Sequence, residues 1–321
     1  MAPLRISTAD VLVVLILESN AARNQFTLCG FVPVSNVCLT CNFLDNLREY
    51  PELQTMILSA ISGKRSFLMA IDPTTQTRQL TTYLLPDLIP ANQKMEGSAV
   101  VIDILRASST ICMALESGAS AVIPCEHIET AQLTRKDFDD ETVLMGGERQ
   151  GVKIEGFDLG NSPRDYTKDV VGNRTLIFST TNGTRALHRC QTAERVAIGC
   201  FLNRSPIVNW LQQDAGPIHM VCAGTDGKIT LEDCLFAGAV AEGLISRGEQ
   251  LDMNDATRLC LNLYHMSIQH SEGILLRLLE SQGGQNLQHL SMQEDVAFCA
   301  QVDVLENVPV WDSGLNRINN D

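Results

Sequence analysis

The sequence predicts an α/β fold, a layered and mostly parallel sheet with flanking helices. From Gln79 onward, short apolar runs of strand length alternate with stretches of helical length. This alternation is typical of parallel strands joined by crossover helices, which bury both faces of the sheet. The six clearest strand candidates share a largely apolar character and are residues 99–102, 121–123, 143–145, 176–178, 196–198 and 219–222.

Helical candidates lie between and after these strands. They are residues 109–117, 128–135, 206–213, 231–246, 255–264, 271–280 and 293–304. The C-terminal third is therefore predicted to be mainly helical. The sequence shows no internal repeat and no low-complexity tract.

The chain divides into two unequal parts. Residues 1–78 carry six acidic and six basic side chains, so the net charge of −14 lies entirely after Arg78. The first part lacks a strand and helix rhythm, and its best helix candidate, residues 44–61, is interrupted by Pro51. We predict that residues 1–78 are an accessory N-terminal extension and that residues 79–321 form one folded domain. Two explanations of the weak pattern in 1–78 stay open, poor order of the extension and a mis-assigned start codon.

Composition narrows the class of protein. A net charge of −14 argues against a nucleic acid partner, because phosphate backbones select basic surfaces. No apolar run approaches the roughly 18 residues of a membrane helix, so we expect no membrane partner. The 11 cysteines, scattered among hydrophobic residues, are typical of buried, reduced thiols in a cytoplasmic protein.

Polar clusters follow four of the predicted strands, at the edge where open α/β sheets bind ligands. In the first cluster Asp103 ends a strand, Arg106 follows, and Ser108 and Ser109 open a helix. An aspartate there can hold magnesium or attack phosphorus, and an arginine can bind two phosphate oxygens. The structural alternative is an ion pair between Asp103 and Arg106, with Ser108 as a helix cap.

The second cluster is the long polar loop at residues 146–163. Its charged and polar side chains include Glu148, Arg149, Lys153, Glu155, Asp158, Asn161 and Ser162. Long loops in compact domains are often functional, and this set could line a metal and anion site. The alternative is a solvent loop whose glycines serve turn geometry.

The third cluster directly follows the strand at 176–178. It consists of Thr180, Thr181, Asn182, Gly183, Thr184 and Arg185. Hydroxyls and backbone amides at a helix start can form an anion cradle, to which an arginine adds a fixed positive charge. The alternative is an ordinary Asn-Gly turn with a threonine cap.

The fourth cluster contains Gly224 and Thr225, followed by a charged helix start. Thr230 and Asp233 have the spacing of a capping box, which favours a structural role for that pair. Glu232 is left over as a metal ligand or a base. Familiar phosphate-enzyme signatures, including the Walker loop and a cysteine followed six residues later by arginine, are absent from the sequence.

In this order, the motifs resemble those of the 2-phosphosulfolactate phosphatase family. The matching stretches keep the family's order and are residues 101–110, 146–149, 155–163, 180–185, 222–225 and 231–233, with Asp295, Cys299, Asp303 and residues 308–310 near the C terminus. The resemblance covers 79–321, which makes that part the phosphatase domain, and does not cover 1–78.

The resemblance implies a family-specific phosphosulfolactate phosphatase-like fold and a Mg²⁺ cofactor. It also implies a phosphoric monoester hydrolase that converts (R)-2-phospho-3-sulfolactate, or a related 2-hydroxy acid phosphate ester, to sulfolactate and phosphate. The family's setting is coenzyme M biosynthesis in the cytoplasm, and a homodimer is plausible. Two alternatives stay open, a non-catalytic phosphometabolite-binding module and a lyase acting on a carboxylic acid phosphate.

The motifs and the resemblance together give expected roles. The catalytic residues are Asp103, Arg106, Glu148 and Arg185, and the magnesium ligands are Glu148 with Asp103 or Asp158. The substrate-binding residues are Ser108, Ser109, Arg149, Asn161, Ser162, Thr180, Thr181, Asn182, Gly183, Thr184, Gly224 and Thr225. Arg149 or Lys153 would pair with the carboxylate or sulfonate. Either a carboxylate orients the attacking water or Asp103 is the nucleophile.

Overall fold

The computed structural model describes residues 17–20, 25–28, 77–270 and 272–321. Two compact units, Met1–Thr75 and Gln76–Asp321, make up the chain. In the first unit, β1 (Leu17–Asn20) and β2 (Gln25–Leu28) form an antiparallel pair. The helix predicted at 44–61 lies outside the described residues, and the boundary after residue 78 stays a prediction.

A large sheet organises the second unit. Its strands in the described ranges are β3 (Arg78–Tyr83), β4 (Ser98–Ile102), β5 (Ala121–Pro124), β6 (Val143–Arg149), β7 (Val152–Lys153), β8 (Thr175–Ser179), β9 (Arg195–Gly199), β10 (Ile218–Cys222), β11 (Leu251–Met253), β12 (Pro309–Asp312) and β13 (Arg317–Asn320). All six predicted strands are present, as β4, β5, β6, β8, β9 and β10.

Helices connect and cover these strands. They are α1 (Ala107–Glu116), α2 (Ile128–Arg135), α3 (Lys168–Val171), α4 (Gly183–Arg189), α5 (Arg204–Leu211), α6 (Leu231–Ser246), α7 (Asp255–Ser267), α8 (Gly273–Glu280), α9 (Gln282–His289) and α10 (Gln293–Cys299). None of the helices in the described ranges combines the length and apolar character that a bilayer-spanning helix needs.

The sheet consists of two parallel groups of strands. One has the spatial order β11-β3-β10-β4-β9 and the other has the order β5-β8-β6. The antiparallel hairpin of β12 and β13 joins them, pairing Val310 with Ala197 on one side and Ile318 with Val122 on the other. The expected α/β fold with a mostly parallel sheet is thus confirmed.

Burial explains why the central strands read as continuous apolar runs. Every residue of β4 and β10 is buried, as expected for strands covered on both faces. The helix α6 packs into the same core, where Phe236 meets Phe201 edge to face with ring centroids 5.3 Å apart. This rigid core supports the loops that follow the strands.

The C-terminal region differs from its prediction in two ways. The helix expected at 293–304 ends at Cys299, because Asp303 has a φ of 56° and its carboxylate accepts hydrogen bonds from Ser205 and Arg204. The mainly helical C-terminal third also closes with the β12–β13 hairpin. The strand β3, which lies between β11 and β10, was not predicted, because two of its three buried residues, Arg78 and Thr82, are polar.

Candidate active site

Loops that follow β4, β6, β8 and β10 converge on one cavity of about 330 Å³. Residues from α9 complete its lining. Seven of the predicted site residues line this cavity together: Asp103, Arg106, Glu148, Asn161, Thr181, Asn182 and Thr225. Residues more than 100 positions apart in the chain therefore share one concave surface.

Asp103 follows β4 and is 8% exposed. Its Oδ1 accepts the N–H of Ala107 at 3.2 Å, and its own N–H donates to Ser108 Oγ at 2.9 Å. Its Oδ2 accepts no hydrogen bond from the described residues. Burial raises the pKa of Asp103 to about 7, and repulsion from Glu148 and Glu232 adds to the increase.

Glu148 lies at the end of β6 and connects two loops. Its Oε1 accepts hydrogen bonds from the N–H and the hydroxyl of Thr181, both at 3.0 Å. Its Oε2 accepts the N–H of Gly151 at 2.7 Å. Because each carboxylate oxygen has two lone pairs, Oε2 can still accept a further ligand, whereas Thr181 occupies both lone pairs of Oε1.

Arg106 is 3% exposed, and buried acceptors fix its guanidinium. Its Nη1 donates to Asp295 Oδ2 at 2.6 Å, and its Nη2 donates to Gly151 O at 2.9 Å. Asp295 is in turn oriented by the hydroxyl of Ser162 at 2.8 Å. Arg106 thus pairs with Asp295, so the alternative ion pair between Asp103 and Arg106 is wrong.

The donor set at the cavity fits a magnesium ion. Asp103 and Glu148 supply carboxylate oxygens, and their mutual repulsion would be relieved by a divalent cation. The described ranges hold no cluster of three or more histidine, cysteine, aspartate or glutamate side chains able to bind a metal. Mg²⁺ commonly keeps several waters and takes one or two carboxylates together with substrate phosphate, so Asp103 and Glu148 are the residues that would hold it.

Asp158, the other expected ligand, lies off the cavity. Its Oδ2 accepts the N–H of Met145 at 2.8 Å, so the carboxylate closes the loop after β6. The structure therefore brings Asp103 and Glu148 together and leaves Asp158 outside the cavity lining.

Two further carboxylates lie behind the cavity, at the start of α6. Asp233 accepts the N–H groups of Ile104 and Gly224, both at 2.9 Å, and so links the loops after β4 and β10. The capping box expected of Thr230 and Asp233 is wrong, because α6 has no side-chain cap. Glu232 is buried, and its Oε2 has no partner among the described residues.

Burial raises the pKa of both acids at the start of α6 to about 8. For Asp233 the negative charge of Asp103 adds to the increase, and for Glu232 the charge of Asp233 does so. Three neighbouring carboxyls thus share a site where negative charge is costly.

Most of the other predicted residues are bonded to the protein around the cavity. The hydroxyls of Ser108 and Ser109 donate to the main chain at Val101 and Ile104. The predicted residues that do not line this cavity also include Ser162, Thr180, Gly183, Thr184 and Gly224, of which Thr180, Gly183 and Thr184 line a separate cavity of about 20 Å³. At Gly183 a Cβ would lie 3.1 Å from Asp103 Oδ2, so a glycine there allows close approach.

Both predicted arginines beyond Arg106 lie off the cavity. Arg149 donates to the carbonyls of Glu148 and Glu126 and to the Ser179 hydroxyl. Arg185 forms an ion pair with Asp87 and lines a separate cavity of about 390 Å³. The structure does not bring Arg185 together with Asp103 and Glu148.

Sequence reasoning missed part of the lining. The additional residues are Leu105, Gln150, Gly151, Asp226, Gly283, Asn286, Leu287, His289 and Leu290. A sequence pattern could have indicated only part of this set, because residues 283, 287 and 290 are spaced as on one face of a helix. Asp295 was noted as part of a motif, but no local pattern connects it to Arg106.

One family model and three similar proteins point to the same family. Residues 83–314 match the family model for 2-phosphosulpholactate phosphatase. A probable 2-phosphosulfolactate phosphatase from Caldanaerobacter subterraneus is 39% identical over 246 residues, covering 75% of this chain and 99% of that protein. Proteins of the same name from Symbiobacterium thermophilum and Microcystis aeruginosa are 40% and 38% identical, covering 70% and 72% of this chain and 96% and 95% of their own.

Proposed function

The chain belongs to the 2-phosphosulpholactate phosphatase family, and we propose that it hydrolyses (R)-2-phospho-3-sulfolactate, or a related 2-hydroxy acid phosphate ester, with the help of Mg²⁺. The observation that carries this proposal is the convergence of Asp103, Arg106 and Glu148 on one cavity. A phosphatase needs little covalent chemistry from its protein, but it needs positioning and charge neutralisation.

Charge balance supports the magnesium cofactor. The cavity presents two carboxylates, Asp103 and Glu148, which would repel a multiply anionic ester. Glu148 and Asp103 would hold the ion, which supplies charge neutralisation at the phosphoryl oxygens when bound. The protein's own contribution is to fix both carboxylates through Thr181, Gly151 and Ala107.

Arg106 is the residue best placed to bind the phosphoryl group. Of its five N–H groups, those on Nη1 and one on Nη2 contact Asp295, Met292 and Gly151. The N–H groups that remain have no partner in the described part of the chain. We assign these donors to phosphoryl oxygens, with Thr181 and Asn182 beside them.

We further propose that a cavity carboxylate orients the attacking water. The unpartnered Oδ2 of Asp103 also favours a second route, in which Asp103 attacks phosphorus and water then releases the phosphate. The stereochemical course at phosphorus, followed with an ester that carries an isotopically chiral thiophosphate, separates the routes. Direct attack by water is one displacement and inverts the configuration, whereas retention, the result of two successive displacements through Asp103, would overturn that route.

Phosphate release from a panel of 2-hydroxy acid phosphates, with Mg²⁺ or with EDTA, tests the proposed function. We expect release only with the metal, together with an intact hydroxy acid product. Binding without turnover would instead show a phosphometabolite-binding module. Release of phosphate with an elimination product would show a lyase.

We also propose a cytoplasmic setting. The eight cysteines in the described ranges are all buried and free, as expected in a reducing compartment. Cell fractionation tests the location. The homodimer stays a prediction, and light scattering of the purified protein tests it.

A further inference from the structure

The helix α9 forms a second wall of the cavity. Gly283 and Leu287 of this helix and Leu290, which directly follows it, lie at helical spacing on one face, with Asn286 beside them and His289 at the edge. Gly283 lets the helix come close, because a Cβ there would collide with Oε1 of Glu232. This wall is therefore held in place by packing.

The other end of α9 packs against the loop after β6. A Cβ on Gly151 would lie 2.7 Å from Cδ1 of Leu290. Gly151 is also the residue whose carbonyl accepts from Arg106 and whose N–H donates to Glu148. The position of the α9 wall is thus coupled to the residues that surround the reacting phosphate.

Positively charged side chains are scarce on this cavity. Among the described residues that line the cavity there is one arginine, Arg106, and one histidine, His289. Arg149 and Lys153 lie off it, the latter with its Nζ near the carbonyl of Asp158. Since Arg106 lies with Asp103 and Glu148, it belongs to the phosphate end, and α9 holds the donors for a second anionic group.

Asn286 and His289 are suited to that task. The Oδ1 of Asn286 accepts from Gln282 Nε2 at 3.0 Å, which leaves the Asn286 amide nitrogen as a donor. The imidazole of His289 makes no hydrogen bond to the described residues and is exposed. A histidine donates at least one N–H in either protonation state.

We propose that Asn286 and His289 bind the sulfonate of the substrate and thereby determine its specificity. This inference rests on the proposed function. A sulfonate accepts hydrogen bonds at three oxygens, so an amide and an imidazole can bind it together. This assignment requires that the carboxylate, which is shared by all 2-hydroxy acid phosphates, binds elsewhere in the cavity.

Steady-state kinetics with two esters test this assignment. We expect His289→Ala and Asn286→Ala each to raise KM for 2-phospho-3-sulfolactate about tenfold and to change kcat less than about threefold. With 2-phospholactate, which lacks the sulfonate, kcat/KM should stay within about twofold of wild type. The matched control is His270→Ala, an exposed histidine outside the lining of this cavity.

The kinetics also distinguish failure of the sulfonate assignment from failure of the proposed function. An equal loss with both esters would assign α9 to the shared carboxylate and overturn the sulfonate assignment. Wild-type preference in both variants would overturn this inference while leaving the phosphatase function intact. If wild type hydrolysed neither ester, the proposed function would fail. Calorimetric titration with sulfolactate would still test the role of α9 in that case. Unchanged sulfolactate binding in the two variants would contradict the assignment of Asn286 and His289.

Discussion

Arg106 owes its position to Asp295, which lies 189 positions later in the chain. Ligands of open α/β sheets bind at the carboxyl ends of the strands, and this rule identified Arg106, which follows a strand, as a candidate phosphate ligand. Its buried acceptor could not be predicted, since pairing over such a separation leaves no local pattern. Asp295 is therefore a positioning residue that the fold supplies.

Asp295→Asn should lower kcat/KM by about tenfold or more, because an amide orients the guanidinium less firmly than a carboxylate does. The exposed neighbour Glu294 gives a matched control in Glu294→Gln. Steady-state phosphate release measures both variants. A positioning role also predicts that Asp295→Asn and Arg106→Ala are strongly non-additive in kcat/KM; additive losses would contradict it.

Arg185 shows the limit of the same rule. It follows β8 closely in sequence, yet its guanidinium pairs with Asp87 away from the cavity of Asp103 and Glu148. The rule predicts which edge of a sheet a loop occupies, but it does not give the direction of a side chain within a helix. For Arg185 that direction depends on α4 and on the segment around Asp87.

At the scale of elements, two helices agree with their predictions to the residue. The bounds of α2 and α6 agree with those predicted from sequence. The helix α9 was missed because it begins Gln282-Gly283-Gly284, and glycine is a poor helix former. Ser281 stabilises its start by accepting the N–H of Gly284 at 3.0 Å.

Gly238→Ala should destabilise the protein by about 1–3 kcal/mol. The helices α6 and α7 cross closely, and a Cβ on Gly238 would collide with the backbone carbonyl of Cys260. Urea denaturation measures the change, with Ser246→Ala on the exposed end of α6 as the control. Stability equal to wild type for Gly238→Ala would mean that the two helices can separate without cost.

At the scale of the whole molecule, the sequence predicted the fold class but not the strand order. Alternating strands and helices predict parallel pairing. The hairpin of β12 and β13 comes from the end of the chain and joins the two parallel groups. Nothing in a local window of sequence indicates that insertion, because it depends on pairing with Ala197 and Val122.

The buried carboxyls predict how stability depends on pH. The pKa values of Asp103, Glu232 and Asp233 are raised to about 7, about 8 and about 8, above their ordinary values of 3.8, 4.5 and 3.8. The folded state then binds more protons than the unfolded state, so stability is present at low pH and is lost as pH rises through these pKa values. In EDTA, Tm should fall from about pH 6.5 to about pH 8.5.

Below about pH 6.5, buried His219 opposes the loss of stability that the three carboxyls cause as pH rises. Burial lowers its pKa, so its contribution to stability falls as pH drops. Calorimetric scans in EDTA measure the effect, and Asp233→Asn should flatten the profile. A Tm that stays constant or rises over the window would contradict the assigned pKa directions. Excess Mg²⁺ should reduce the loss, because bound cations favour ionised carboxylates.

The central claim is that the cavity of Asp103, Arg106 and Glu148 is the catalytic site. The most direct measurement is kcat/KM for phosphate release from 2-phospho-3-sulfolactate by Glu148→Gln in excess Mg²⁺. The control is Glu155→Gln, which changes an exposed glutamate on the same loop. The account predicts a loss of about a hundredfold or more for Glu148→Gln, with a folded protein, and activity within about twofold of wild type for the control. Wild-type activity in a folded Glu148→Gln protein would contradict it.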